Sequence, residues 1–152
     1  MKNIQKVLAN IVHESSKIFW VLFKVILPVV IIIRLLELTG AIPYLAKFLE
    51  PLTSFIGIDG SLGLVWMAAI LVNIYAGMAA FASLQSIFDY SVAETTILGL
   101  IILIAHSLPI EVAIARKSRV SGLFNLLFRF INAVIAGKIL NYIFIKFDLF
   151  NE

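Results

Sequence analysis

The sequence predicts an all-α integral membrane fold with an amphipathic N-terminal helix, three transmembrane helices and one re-entrant helical hairpin, one of the spans being broken at Pro109. Three observations carry this. The 152 residues are 62% hydrophobic and only 14% charged, where a soluble domain has about 45–50% apolar and about 25% charged residues. Apolar stretches such as Ile18 to Ile33, Leu62 to Leu84, Ile97 to Ala105 and Ile139 to Ile145 reach or approach the roughly 20 residues that cross a bilayer. Finally, Pro109 and the small-residue segment around Gly77 interrupt two of those stretches where an uninterrupted helix would otherwise run.

In chain order, Ile4, Val7, Leu8, Ile11 and Val12 recur at helical spacing opposite Lys2, Gln5, Lys6, Asn10 and Glu14, the pattern of an amphipathic helix. Residues 1–16 are therefore expected to form an interfacial helix. A first span covers 18–38, and Thr39-Gly40 supplies its stop. Residues 42–56 form a shorter amphipathic piece punctuated by Pro43 and Pro51, followed by a turn around Asp59. Residues 61–88 fit either one tilted helix or a hairpin folded near Asn73 to Gly77. Each hairpin arm would have about 12 residues, or about 18 Å, which is half a membrane plus some interface. Ala68, Ala69, Gly77, Ala79, Ala80, Ala82 and Ser83 would let the arms approach closely. A broken second span follows over 92–115, and a third over 121–147.

Charge favours the hairpin. With three crossings, Lys2, Lys6, Lys17, Arg116, Lys117 and Arg119 share one side and face Lys47 and Lys146 on the other. A full crossing by 61–88 evens the count and fits a dual-topology protein instead. The biased arrangement follows the positive-inside rule and predicts a multi-pass membrane protein with its N-terminus in the cytoplasm and its C-terminus outside; the family resemblance described below implies that the membrane is the bacterial cytoplasmic (inner) one.

Several function classes recede. The formal charge of +3 is dispersed between apolar segments, so orientation in a membrane explains it better than phosphate binding, and no nucleic-acid partner is expected. The absence of cysteine removes disulfides, thiolate metal sites and cysteine nucleophiles. The first apolar stretch starts late and carries Lys24, Pro28 and Arg34, which suits a retained span better than a cleaved signal peptide. His13 and His106 lack metal-type spacing with carboxylates, and neither a phosphate loop nor a nucleophile motif is present. No metal, no cofactor and no enzymatic activity are expected.

The strongest local signal is His106-Ser107-Leu108-Pro109-Ile110-Glu111. Pro109 biases Leu108 away from helical geometry, and a helix broken at depth presents backbone groups that transporters use to hold substrate and coupling ions. His106, Ser107 and Glu111 are thus expected to bind a polar solute, with His106 or Glu111 exchanging a proton. In the plainer reading Glu111 is solvated near the interface or pairs with Arg116. Asn73 and Gly77, at the hairpin tip, are the next substrate-binding candidates, because the second arm would begin at mid-depth with free amides and the positive end of its dipole. There the plainer reading is a cap and a packing glycine. On the last span Asn125, Arg129 and Asn132 share a stripe, and Arg129 is expected to pair with Glu111 as a structural ion pair. Lys24 and Lys138 are expected to snorkel.

The order of these parts resembles the nucleoside recognition, or Gate, domain family of small bacterial membrane proteins. The residues that carry the resemblance are Val25-Ile26-Leu27-Pro28 to Thr39-Gly40, Phe48-Leu49-Glu50-Pro51-Leu52, the hairpin with Asn73 to Gly77, and His106 to Glu111 leading to Arg129. They cover roughly Phe19 to Leu140. Spore maturation proteins and the membrane gates of ferrous iron transporters belong with this family, and concentrative nucleoside carriers share its broader architecture. The resemblance implies a unit of span, hairpin, broken span and span that larger carriers use twice, in inverted orientation. It therefore implies a subunit of a transporter for a small polar solute, of which nucleosides are one class, forming one inverted half of the transport unit. The expected partners are the lipid bilayer and a paralogous Gate-type protein of opposite topology, or else an antiparallel copy of this chain. A non-transporting membrane scaffold or assembly protein of the same fold is the alternative.

Overall fold

The computed structural model describes residues 2–149, apart from the side chains of residues 2–5, 8 and 9, and every regular element in that range is an α-helix. The first, α1, runs without interruption from Lys2 to Leu38. The interfacial helix and first span expected from the sequence are thus one rod. The joint lacks any breaker, and local contacts bridge it: Ser16 Oγ donates to the Val12 carbonyl at 2.8 Å, and Lys17 Nζ pairs with Glu14 at 2.8 Å. Of the N-terminal apolar stripe, Val7, Ile11 and Val12 are exposed, while the side chains of Ile4 and Leu8 lie outside the described residues. Pro28 sits inside the helix and removes one backbone bond without ending it. Thr39 Oγ1 caps the Leu35 carbonyl at 2.8 Å, Gly40 turns left-handed at φ 67°, and the chain leaves.

Helix α2 (Ile42–Ile56) starts with a proline in its first turn and stops at left-handed Gly57. It meets α3 (Gly60–Leu71) at a bend of 92°. Gly60 and Gly63 permit that contact. A Cβ on Gly60 would overlap the Ala46 carbonyl, and one on Gly63 would press on Leu49 and Thr53. After a turn at Val72-Asn73 the chain doubles back as α4 (Ile74–Leu84). The arms pack closely enough that a Cβ on Gly77 would stand 2.8 Å from the Ala69 methyl. The ends of the excursion also meet, since Ser61 Oγ lies 2.7 Å from the Tyr90 hydroxyl. A path that begins and ends at one hydrogen bond returns to the level at which it started.

Helix α5 (Val92–Ile104), helix α6 (Leu108–Lys117) and helix α7 (Gly122–Lys146) complete the chain. The break between α5 and α6 falls at residues 105–107, just ahead of Pro109, which occupies the first turn of α6. That is where proline is tolerated, because the missing N–H has no helical partner there. The sequence placed the break at the proline itself; the structure moves it to residues 105–107, since in a continuous helix the proline ring would clash with the Ala105 carbonyl four residues back, while Leu108 itself stays helical.

The core is centred on α3, which α2, α4 and α5 flank, and Trp66, Leu62, Ile56, Leu84, Ile97 and Ile101 are fully buried in it. Outside that core the surface stays apolar: Phe19, Trp20, Leu103, Phe124, Phe128 and Ile139 are exposed, on a scale that water would not tolerate and lipid does. Among the described residues three segments are long and apolar enough to cross a bilayer, Asn10–Leu38, Val92–Lys117 and Gly122–Lys146; the bent pair α2 and α3 together also has the length and character of a span.

Candidate functional site

A helix break midway along a 26-residue apolar segment frees several backbone groups that lipid cannot satisfy. Here four of them find partners, one within the break and three on neighbouring helices. His106 Nδ1 lies 2.9 Å from the Ile102 carbonyl; since a carbonyl only accepts, Nδ1 carries the proton and Nε2 is the nitrogen left over. Arg129 Nη1, from α7, donates to the Ile104 carbonyl at 3.1 Å. Trp66 Nε1, from α3, donates to the Ala105 carbonyl at 3.2 Å. In return Ser107 N–H donates to the Ala69 carbonyl at 2.8 Å, close to the hairpin turn. Ser107 adopts a left-handed conformation, φ 50° and ψ 32°, which is costly for a residue with a Cβ. The break and the hairpin are therefore interlocked by bonds in both directions.

Trp66 is the centre of this arrangement. It is 2% exposed, and its indole stacks on Phe130 with ring centroids 5.2 Å apart and planes 5° from parallel. One side chain thus ties the first hairpin arm to both the broken span and α7. The sequence reading overlooked it, although a lone tryptophan amid small residues signals an indole N–H that needs a buried acceptor.

Glu111 and Arg129 face each other across α6 and α7, with Glu111 Oε2 2.7 Å from Arg129 Nη1 and side chains 21% and 35% exposed. That oxygen is nonetheless buried without a hydrogen-bond partner among the described residues. Arg129 Nη1 also donates to the Ile104 carbonyl, so its contact with Glu111 is an ion pair that carries no hydrogen bond among the described residues. The pair lines a cleft of about 220 Å³ with Ile114, Ala115 and Asn125. Arg116, the residue after Ala115 on α6, packs instead over Gly122.

The other sequence candidates lie elsewhere. Asn73 Oδ1 accepts from the Ala76 N–H at 3.0 Å and the Asn73 carbonyl accepts from Gly77 N–H at 3.2 Å, so Asn73 caps α4. Gly77 lines a separate, nearly wholly apolar groove of about 390 Å³ with Val65, Met78, Phe81 and Gly99. Ser107 reaches the hairpin through Ala69, but Asn73, Gly77, His106 and Ser107 all fall outside the lining of the polar cleft; of the five substrate-binding candidates only Glu111 lines it. Further along α7, Asn132 bonds its own helix at the Phe128 carbonyl, Lys138 lies 4.8 Å from the Phe55 ring centroid, and Asn141 covers Gly57.

A second polar cluster joins the starts of α3 and α5. Asp59 caps α3 by accepting from Ser61 N–H at 2.8 Å, and it also accepts from the Ser61 hydroxyl. Asp59 N–H donates to Glu94 at 3.0 Å, while Ser91 and Glu94 form a reciprocal capping box. Tyr90 closes the network on Ser61. Burial pushes the Tyr90 hydroxyl above its ordinary pKa; the Ser61 hydrogen bond works against that, and the charges of Asp59 and Glu94 add to it. Ser91-x-x-Glu94 is legible in the sequence as a helix-start signature, but its long-range partner is not. Among the described residues no three His, Asp or Glu side chains gather as they would around a metal ion.

Comparison with known proteins adds identity to this geometry. The uncharacterized membrane protein YvoD of Bacillus subtilis (strain 168) is 33% identical over 98 residues, covering 64% of this chain and 30% of the relative. The matched part of the chain thus spans under a third of that protein. No solved structure matches. The Gate family pattern, described as nucleoside recognition, matches residues 19–145. A multi-pass bundle with a span broken beside a folded-back helix pair, matched over most of its length, therefore makes this chain a membrane protein that belongs to the Gate family.

Proposed function

We propose that this chain is a subunit of a membrane transporter for a small polar solute and forms one inverted half of the transport unit. The observation that carries the reading is the broken span α5–α6: its break lies beside the turn of a folded-back helix pair, and an ion pair lines a polar cleft one turn below. Transporters of inverted-repeat design place substrate sites at such breaks. In this reading residues 60–90 enter and leave the membrane from the outer face, the N-terminus is cytoplasmic, and the membrane is the bacterial cytoplasmic one. Ser107, Glu111, His106, Asn73 and Gly77 lie along the solute's route, with Glu111 or His106 Nε2 taking the coupled proton. The other half is a Gate-type protein of opposite orientation; an antiparallel second copy ranks next. The relative's length supports pairing, because 98 residues making up 30% of it put that protein at about twice this chain, room for two such units.

A second reading has a specific observation in its favour. Each carbonyl released at residues 102, 104 and 105 already has a protein donor, as a non-transporting scaffold or assembly protein would require. Uptake into proteoliposomes separates the two, with uridine as the first solute tried because the family is described by nucleoside recognition. Transport predicts uptake that falls at least tenfold in Glu111→Gln and in Asn73→Leu; uptake unchanged in both variants would remove the assignment, and tolerance of both in a folded protein that moves nothing would establish the scaffold.

A further inference from the structure

The α6–α7 cleft has a composition that selects ligands by net charge. Its polar lining is one carboxylate, one guanidinium and one primary amide: Glu111, Arg129 and Asn125. Each has unused valence. Glu111 Oε2 is buried against Arg129, and the side chain, 21% exposed, accepts no hydrogen bond through Oε1 among the described residues. Arg129 spends one N–H on the Ile104 carbonyl and has further donors. The Asn125 amide has no partner among the described residues. Glu111 and Arg129 cancel in charge at 2.7 Å, so an anion would be held by one and repelled by the other, and a cation likewise. A neutral group that both donates and accepts meets neither penalty.

We infer that this cleft binds a net-neutral solute presenting a hydrogen-bond donor beside an acceptor, as a carboxamide, lactam or ureide does. The solute donates to Glu111 Oε1, the carboxylate oxygen that is not buried against the guanidinium, and accepts from Arg129, and Asn125 reads the third position. The inference rests on the transport reading above and gives it a substrate class. The volume of about 220 Å³ is that of roughly seven waters in the liquid, so the occupant is a compact fragment or ring. Asn125 is then the specificity-determining residue, because it is the one polar group of the cleft that neither pairs with another charge nor supports the helix break.

The test uses the full chain in detergent and three probes of one shape: nicotinamide (neutral), nicotinate (anion) and 3-(aminomethyl)pyridine (cation). Calorimetry or ligand-observed NMR at up to about 10 mM detects the weak binding expected of fragments. Nicotinamide is expected to bind at least tenfold more tightly than either charged analogue, and Asn125→Leu to lose that binding with an unchanged melting temperature. Asn125→Asp adds one negative charge to the lining and is expected to reverse the order in favour of the cation. A purely structural cleft would not show that reversal. Equal affinity for the three probes, no binding by any of them, or a ranking unmoved by Asn125→Asp would overturn the inference. Fragment binding in a protein that takes up nothing would remove the transport reading alone; uptake that depends on Glu111, without fragment binding, would remove this inference alone.

Discussion

Ser107 shows how much of the site depends on one residue. Its left-handed backbone costs about 1–2 kcal/mol for a side chain bearing a Cβ. Ser107→Gly is therefore expected to raise stability by about 1 kcal/mol after the extra freedom glycine gives the unfolded chain, and Ser107→Val to lower it by about 2 kcal/mol or more, since β-branched residues fit that region worst. Thermal unfolding in detergent measures both. Trp66→Phe keeps the ring against Phe130 but strips the donor from the Ala105 carbonyl. An unpaired buried carbonyl costs about 1–3 kcal/mol, and a melting temperature equal to the parent's would show that water or another donor replaces the indole. The sequence made Ser107 visible through the neighbouring proline. It left Trp66 invisible, because apolar periodicity registers an indole ring as core and is blind to its N–H.

Among the elements, the pairing of α3 with α4 and the stitch of α3 to α5 differ in legibility. Small residues over 68–83 announce close packing in the sequence, and Gly77 against Ala69 is that packing. The stitch depends on Asp59, Ser61, Tyr90 and Glu94, which are far apart in the chain and polar enough to read as ordinary loop residues. The continuity of α1 was likewise hidden, because a change from amphipathic to uniformly apolar pattern marks a change of environment without requiring a change of backbone. The stitch yields a pH prediction. The folded-state pKa of Tyr90 is raised, so its contribution is fully present below the unfolded value of about 10 and is lost as pH rises through the folded value. The parent is expected to lose stability in that alkaline range more steeply than Tyr90→Phe; parallel melting curves from pH 8 to pH 11 would contradict it.

At the scale of the whole molecule, the cysteine-free sequence makes topology directly measurable. Single cysteines at Asn10, Asp59, Asp89, Ser118 and Asp148, probed with an impermeant thiol reagent in intact cells, are expected to report Asn10 and Ser118 inside and the other three outside. Opposite sides for Asp59 and Asp89 would conflict with the Ser61–Tyr90 contact and remove the hairpin. Labelling of every position from both faces would point to an antiparallel pair of copies. The proposed pairing is the part of the functional reading that one sequence conceals most, because a surface that meets a second protein and one that meets lipid are apolar alike.

The unbroken course of α1 has a mechanical consequence. Its 37 residues make a rod about 55 Å long, against a hydrocarbon layer of about 30 Å. A helix that spans without a break cannot also lie flat, so nearly half its length must either stand clear of the hydrocarbon layer or draw the whole helix into a steep tilt. The C-terminal half of that rod packs on α4 through Val29, Ile33 and Leu36. Any force on the protruding end, whether from a thicker bilayer or from a protein grasping it, therefore bears on the hairpin arm that begins at the turn beside the site.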